Sequence, residues 1–226
     1  MATDAQRKVA AFDFDGTLTY RDTLVPFMGS AAGWTRLGTA SLRVGLDSLR
    51  RKVDGANRDA VKAEMLRRLF TGTEATEIRR RGGDYAKQIL GSSKKINPAV
   101  LARLREHIEA GHDVVFVSAS LVYYLTPIAE ELGIHHVIAV ELSSAEGYLT
   151  GSLSHPNVRA EQKAIRLREW LGEPAEGPLT STELWAYGNS SGDHELLAMA
   201  DHAYWLGKSA KIPQGSVLFD PDQRLT

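Results

Sequence analysis

The sequence predicts an α/β protein: a doubly wound parallel sheet with an all-helical subdomain inserted after its first strand. Three observations carry this. Short apolar runs, Val9–Phe12, Val114–Val117 and Leu184–Tyr187, read as buried strands. Helix-length amphipathic segments separate later strands, the pattern of β-α-β units with right-handed crossovers. The stretch 20–92 is helical throughout, with no strand signal, too long for one crossover helix.

In chain order, residues 8–14 form the first strand. Helical patterns follow over Thr23–Met28, Trp34–Val53, Asn57–Phe70 and Thr73–Leu90, punctuated by Gly33, Gly55, Gly72 and Gly91. The expected division is a core of residues 1–19 and 93–226 and a cap of residues 20–92. An insertion directly after the first strand sits over the sheet's carboxyl edge and can close on a ligand. Beyond it, Pro98–Ala110 reads as a helix ended by Gly111. Then come a buried strand at 113–118, a helix at Leu121–Leu132 and a short strand at His136–Val140. Leu142–Leu153, around Glu146-Gly147, reads as a β-hairpin. Val158–Leu171 is a helix, Glu183–Tyr187 a strand, Asp193–Met199 a short helix and Ala203–Leu206 a strand. The tail, Gly215 to Thr226, has no clear structural signature, with room for a final short strand and a loose end.

Bulk properties exclude several function classes. The chain has 226 residues, 43 % of them hydrophobic, enough for a real core. Lys+Arg total 27 against Asp+Glu 28, a net charge of -1, which argues against general nucleic-acid or membrane-surface binding. Without cysteine, disulfides, thiolate catalysis and thiolate metal sites are out. No signal peptide and no apolar run of membrane-spanning length is visible, so a cytoplasmic location is the expectation. Nothing in the sequence fixes an oligomeric state.

The chemistry concentrates after the first strand, in Asp13-Phe14-Asp15-Gly16-Thr17. Residues i and i+2 of a strand face one side, so Asp13 and Asp15 are expected to converge, with Gly16 allowing a sharp turn. Two carboxylates at a sheet mouth suit a hard cation with oxygen ligands, such as Mg²⁺. One carboxylate can attack phosphorus while the other moves protons. Taken alone, the same residues also fit a strand end with two solvated acids.

This motif resembles the first motif of the haloacid dehalogenase-like phosphatases, and three further stretches resemble the rest of that pattern in order. Ser118, after an apolar strand, matches the second motif. Lys163, in Arg159-Ala160-Glu161-Gln162-Lys163, matches the third, with Arg159 and Arg166 as neighbouring competitors. Gly188-Asn189-Ser190-Ser191-Gly192-Asp193 matches the acidic fourth motif, except that Asn189 stands where the first acid belongs. An amide ligates Mg²⁺ without charge, so metal affinity is expected to be lower. The helical insertion resembles the phosphoserine-phosphatase-like branch, with a Rossmann-like core.

The resemblance implies a Mg²⁺-dependent phosphatase acting through an aspartyl-phosphate. Asp13 is the implied nucleophile and Asp15 the general acid and base. Ser118, Ala119 and Lys163 hold the phosphate, and Asp13, Asp15, Asn189 and Asp193 hold the metal, Asp15 through its carbonyl and Asp193 directly or through water. Such a reaction needs up to about 10²¹-fold acceleration, so charge neutralisation must carry much of it. Asp15 speaks against a dehalogenase, since that branch lacks the second acid. A phosphoryl transferase on the same fold, or a catalytically weak binding member because of Asn189, are the alternatives.

The implied substrate is a small phosphorylated metabolite. Asp22 stands where phosphoserine phosphatases place a substrate-binding Glu, but it also suits a helix N-cap. Ser118-Ala119-Ser120 replaces the family's Ser-Gly-Gly, and its side chains are expected to crowd a small amino acid's carboxylate. Phospholipid head-group phosphates are an alternative class, without a membrane anchor to support it. The basic groups Arg50-Arg51, Arg67-Arg68 and Arg79-Arg80-Arg81 are expected on solvated helix faces. His135 and His136 diverge as neighbours, and His194 is expected at the surface. Trp34, Trp170, Trp185 and Trp205 are expected in core or cap packing.

Overall fold

A computed structural model describes residues 6–50, 53–54, 57–223 and 225. Arg51 and Gly55 lie outside the described residues. The elements run β1 (Arg7–Phe12), α1 (Leu24–Ala32), α2 (Trp34–Leu49), α3 (Arg58–Phe70), α4 (Ala75–Leu90), α5 (Pro98–Glu109), β2 (Asp113–Leu121), α6 (Val122–Glu131), β3 (His136–Val140), β4 (Leu142–Ala145), β5 (Tyr148–Leu153), α7 (Glu161–Leu171), β6 (Thr182–Gly188), α8 (His194–Ala198), β7 (His202–Trp205) and β8 (Val217–Leu218).

Six strands form one parallel sheet in the order β3-β2-β1-β6-β7-β8. The chain winds outward from β1 to β3, then returns to the far side of β1 and winds out to β8. The direction reverses between β1 and β6, and a doubly wound sheet opens its ligand crevice there, at the strands' carboxyl ends. The central apolar runs are buried on both faces, from Val9 to Phe12 and from Leu184 to Tyr187.

Aromatic side chains ladder across these strands. Phe12 pairs in register with Tyr187 and stacks on it at 4.2 Å, and Tyr187 stacks in the same way on Tyr204 at 4.9 Å. Trp185 stacks on its register partner His202 at 4.5 Å. Such cross-strand pairs fix register as well as burying area.

Beneath the ladder, α5 contributes a fully buried histidine. His107 Nε2 lies 2.8 Å from the Tyr187 hydroxyl and Nδ1 lies 2.9 Å from His112 Nδ1. Burial, with His112 and Arg103 nearby, pushes His107 down from 6.5 to about 3. The fold therefore holds the neutral ring, while the unfolded chain protonates it below about pH 6.5. Stability from this group is complete above that pH and is lost as pH falls toward 3. Between pH 6.5 and pH 5 the loss is expected to be about 2 kcal/mol. Denaturant unfolding of wild type and His107→Gln at both pH values tests this: equal losses would remove His107 as the cause.

The helices α1–α4 fill the stretch predicted as cap. Asn57 caps α3 by accepting from the Asp59 and Ala60 N–H groups at 2.9 and 3.2 Å. The closest helix contact is between α4 and α6, where the Gly82 backbone meets the Tyr123 carbonyl and leaves no room for a Cβ. The stretch is not free of strand pairing, however. Its α3–α4 connection docks on the β4–β5 hairpin through Gly72 N–H to Leu149 O and Leu149 N–H to Thr73 O, both 2.8 Å. Backbone pairing of this kind leaves little apolar signal, so the sequence reading missed it.

Several element bounds differ from expectation. The helix predicted from Val158 begins at Glu161, because Ala160 adopts φ 53° and breaks the turn. Trp34 is 64 % exposed, although one face of its ring covers Gly29 of α1, whereas Trp185 and Trp205 are buried. Trp170 is half-buried, with the Arg7 guanidinium 4.3 Å above its ring. His194 is half-buried beside Trp205 rather than free at the surface. No described helix is long and apolar enough to cross a membrane.

Candidate active site

The β1 run ends at Phe12, so Asp13 and Asp15 stand in the turn after the strand and not on its face. Strand alternation is therefore not what brings them together. The turn is held by Thr19 N–H to Phe14 O at 2.9 Å, and Phe14 itself is buried against Phe116 and Tyr124. Gly16 has φ 80°, and a Cβ there would strike the Asn189 side chain. Only glycine lets the β1 and β6 loops approach so closely.

Both acids line a polar pocket of about 230 Å³ together with Ser118, Ala119, Lys163 and Asp193. Asp13 is buried, and its oxygens accept from Lys163 Nζ at 2.5 Å and from the Thr17 hydroxyl at 3.3 Å. Burial, reinforced by Asp193, pushes Asp13 up to about 7 against the pull of Lys163. Asp15 accepts from Thr23 N–H at 2.7 Å, from the Thr23 hydroxyl at 2.6 Å and from the Ser120 hydroxyl. Burial raises Asp15 to about 6, although these hydrogen bonds oppose the shift. A carboxyl so placed can both give and take a proton near neutral pH.

Ser118 was expected at the end of its strand. Instead β2 continues to Leu121, and its pairing with β3 shifts register between Val117 and Leu121. The irregularity lies where Ser118 lines the pocket, as bulges beside active sites do. Ser118 Oγ accepts from Ser120 N–H at 3.1 Å. Ser120 was expected to crowd the substrate space; its hydroxyl is committed to Asp15.

Lys163 is 2 % exposed and also donates to Asp193 Oδ1 at 2.6 Å. Its burial works against its charge, but Asp13 and Asp193 outweigh that and raise it. Asp193 is likewise penalised by burial, yet Lys163 and Ser190 hold it below the usual carboxylate range. The second Asp193 oxygen accepts from Asn189 N–H at 3.1 Å and from the Ser190 N–H and hydroxyl, both at 2.9 Å. Both its oxygens accept hydrogen bonds within the protein, so Asp193 holds Lys163 and the β6 loop in place. Ala160 N–H to Gly192 O at 2.9 Å ties the strained turn before α7 to the same loop.

Asn189 Oδ1 lies 3.5 Å from the Thr17 hydroxyl, which also reaches Asp13. Among the described residues no three His, Cys, Asp or Glu side chains form a metal cluster. The available donors are of another kind: the Asp13 carboxylate and the Asn189 amide oxygen, both beside the Thr17 hydroxyl, to which the resemblance would add the Asp15 carbonyl. All are hard oxygens, and the buried carboxylates of Asp13 and Asp193 outnumber the buried ammonium of Lys163. That excess of negative charge fits a divalent cation.

The sequence reading missed Lys62. From α3 it donates to the Ala119 carbonyl and to Asn157 Oδ1 at 2.5 Å, and Asn157 donates to Asp59 at 2.7 Å. Burial lowers Lys62 to about 8. The one available signal was helical spacing: Arg58 and Lys62, four residues apart, share one face of α3. Asp22 stands beside the pocket and at the start of α1, where Thr23 holds the cap position itself. It lines the pocket, and its Oδ1 accepts from Val25 N–H at 3.0 Å at the start of α1. It does so because Thr23, the residue at the cap position, has turned its hydroxyl to Asp15.

The chain is 35 % identical over 194 residues to "Protein CicA" of Caulobacter vibrioides (strain NA1000 / CB15N), covering 85 % of this chain and 83 % of that protein. Its fold matches a protein of unknown function from Bordetella pertussis Tohama I with TM-score 0.69 and 22 % identity, over 89 % of this chain and 90 % of the other. It also matches a substrate-bound phosphoserine phosphatase with TM-score 0.58 and 17 % identity, over 88 % and 86 %. The family model for haloacid dehalogenase-like hydrolases matches residues 10–198, and the chain belongs to that family.

Proposed function

We propose that the protein is a Mg²⁺-dependent phosphatase that hydrolyses a phosphomonoester through an aspartyl-phosphate on Asp13. The observation that carries this reading is the convergence of Asp13, Asp15, Ser118 and Lys163 on one pocket, with Lys163 Nζ 2.5 Å from Asp13. The fold likeness to phosphoserine phosphatase supports the same reading.

In the first step an Asp13 carboxylate oxygen attacks phosphorus, and the ester oxygen leaves with a proton from Asp15. In the second, water attacks the aspartyl-phosphate while Asp15 takes its proton, releasing inorganic phosphate and restoring Asp13. Lys163 stays protonated and offsets charge on both Asp13 and the transferring group. Ser118 donates to a phosphate oxygen. Asp13, Asn189 and the Asp15 carbonyl would hold Mg²⁺, which when bound neutralises repulsion between nucleophile and phosphate. Asp193 orients Lys163 from behind. The substrate enters under the helices of residues 20–92, which act as its cap.

Phosphate release from p-nitrophenyl phosphate tests the proposal, measured as Mg²⁺ is titrated into EDTA-treated protein. Activity is expected to appear with Mg²⁺ and to vanish with chelator. The Asn189→Asp variant is expected to half-saturate at about tenfold lower Mg²⁺, since it adds a charged ligand. Metal-independent turnover would refute the mechanism. An unchanged Mg²⁺ titration would show that residue 189 does not limit metal binding.

A further inference from the structure

Beside the catalytic pocket lies a second, larger cavity of about 720 Å³ between α1, α2 and α3. Its walls are apolar, with Met28, Leu37, Val44, Val61 and Met65. The two cavities adjoin, with Asp22, Leu24, Arg58 and Lys62 lining both. The space exists because α2 turns Ser41, Gly45 and Ser48 toward it, and a Cβ on Gly45 would meet nothing within 4 Å. None of this is used by the chemistry described above.

We propose that this cavity receives the leaving group, so that the substrate is the phosphate monoester of a long apolar alcohol. The inference rests on the phosphatase reading. Polarity along the adjoining cavities sets the occupant. The catalytic end holds Lys163, Arg58 and Lys62 stand with Asp22 at the boundary, and the far wall is mostly apolar, with Ser41 and Ser48 as its polar points. An anionic head with an alkyl tail matches that order. A short polar leaving group would leave the apolar wall facing water. The exposed Leu42, Leu46 and Leu49 on the adjoining face of α2 extend the apolar surface beyond the cavity.

The test compares ethyl, butyl and octyl phosphate below their micelle-forming concentrations. The kcat/KM is expected to rise about two- to fourfold per added methylene until the cavity is full. Gly45→Phe, which fills open space away from the reacting groups, is expected to flatten the series while ethyl phosphate turnover stays within about twofold. Calorimetry on Asp13→Asn reads binding without turnover, and octyl phosphate is expected to bind at least about 50-fold more tightly than ethyl phosphate. A flat series together with equal binding overturns the inference. Tight, Gly45→Phe-sensitive binding of octyl phosphate with no hydrolysis of any ester would instead sink the phosphatase reading and leave the cavity's ligand class standing. A dimer that Gly45→Phe dissolves, with no chain-length preference, would assign the cavity to a second copy of the chain and also overturn the proposal.

Discussion

Asp13→Asn is expected to lower phosphate release by at least about 10⁴-fold, because an amide cannot form the acyl-phosphate bond. The fold is expected to survive. Burial and Asp193 already disfavour the charged form of Asp13, pushing it up to about 7. Removing that charge relieves the pocket, since Asp193 still pairs with Lys163 at 2.6 Å. In the absence of metal the thermal midpoint should be equal to wild type or higher. Steady-state phosphate assays and calorimetry on one preparation check both halves. Retained turnover would place the nucleophile elsewhere. A lower midpoint would mean that the Asp13–Lys163 pair holds the fold as well as the chemistry.

Lys163→Met carries the largest expected cost to stability. It leaves the buried Asp13 and Asp193 facing each other without a cation. Breaking a buried ion pair on one side typically costs about 3–5 kcal/mol. The pH dependence follows from the charges. With the ammonium gone, both carboxyls rise, Asp13 from an already raised value and Asp193 from below its usual range, so protonation as pH falls relieves the repulsion. The deficit is therefore expected to be greatest near pH 8 and to shrink toward pH 5. Adding Asp193→Asn removes one of the stranded charges and is expected to restore more than about 1 kcal/mol at pH 8. Denaturant unfolding of the single and double variants at both pH values measures this. A deficit independent of pH, unchanged in the double variant, would show that lost packing and not charge is responsible.

Much of this molecule was legible because local physics wrote it into the chain. Val9–Phe12 and Leu184–Tyr187 are apolar without interruption, and only a strand buried on both faces suits such a run. The helices of residues 24–90 show as amphipathic periods with glycine ends. The candidate site was legible for a related reason: Asp13, Asp15, Ser118, Lys163 and Asp193 each lie near a strand or helix terminus, where a parallel sheet gathers its ligands. What could not be read were pairings between distant positions. Nothing near Lys62 in the chain marks it as a neighbour of Ala119 and Asn157, and nothing near Ser120 announces that its hydroxyl belongs to Asp15.

The sequence by itself determined which segments are strands and helices, their order, and the residue types available at the sheet's carboxyl edge. Periodicity and chain order are local properties, and so is the acid-rich turn after β1. Tertiary structure alone decided how those groups are used. It closed both oxygens of Asp193 on Lys163 and the β6 loop, turned Thr23 away from its helix to Asp15, and opened a largely apolar cavity where α2 presents Ser41, Gly45 and Ser48. Each of these depends on burial and on the meeting of groups far apart in the chain, and the free energy of a buried charge or an unfilled space is set by neighbours that only the folded molecule supplies.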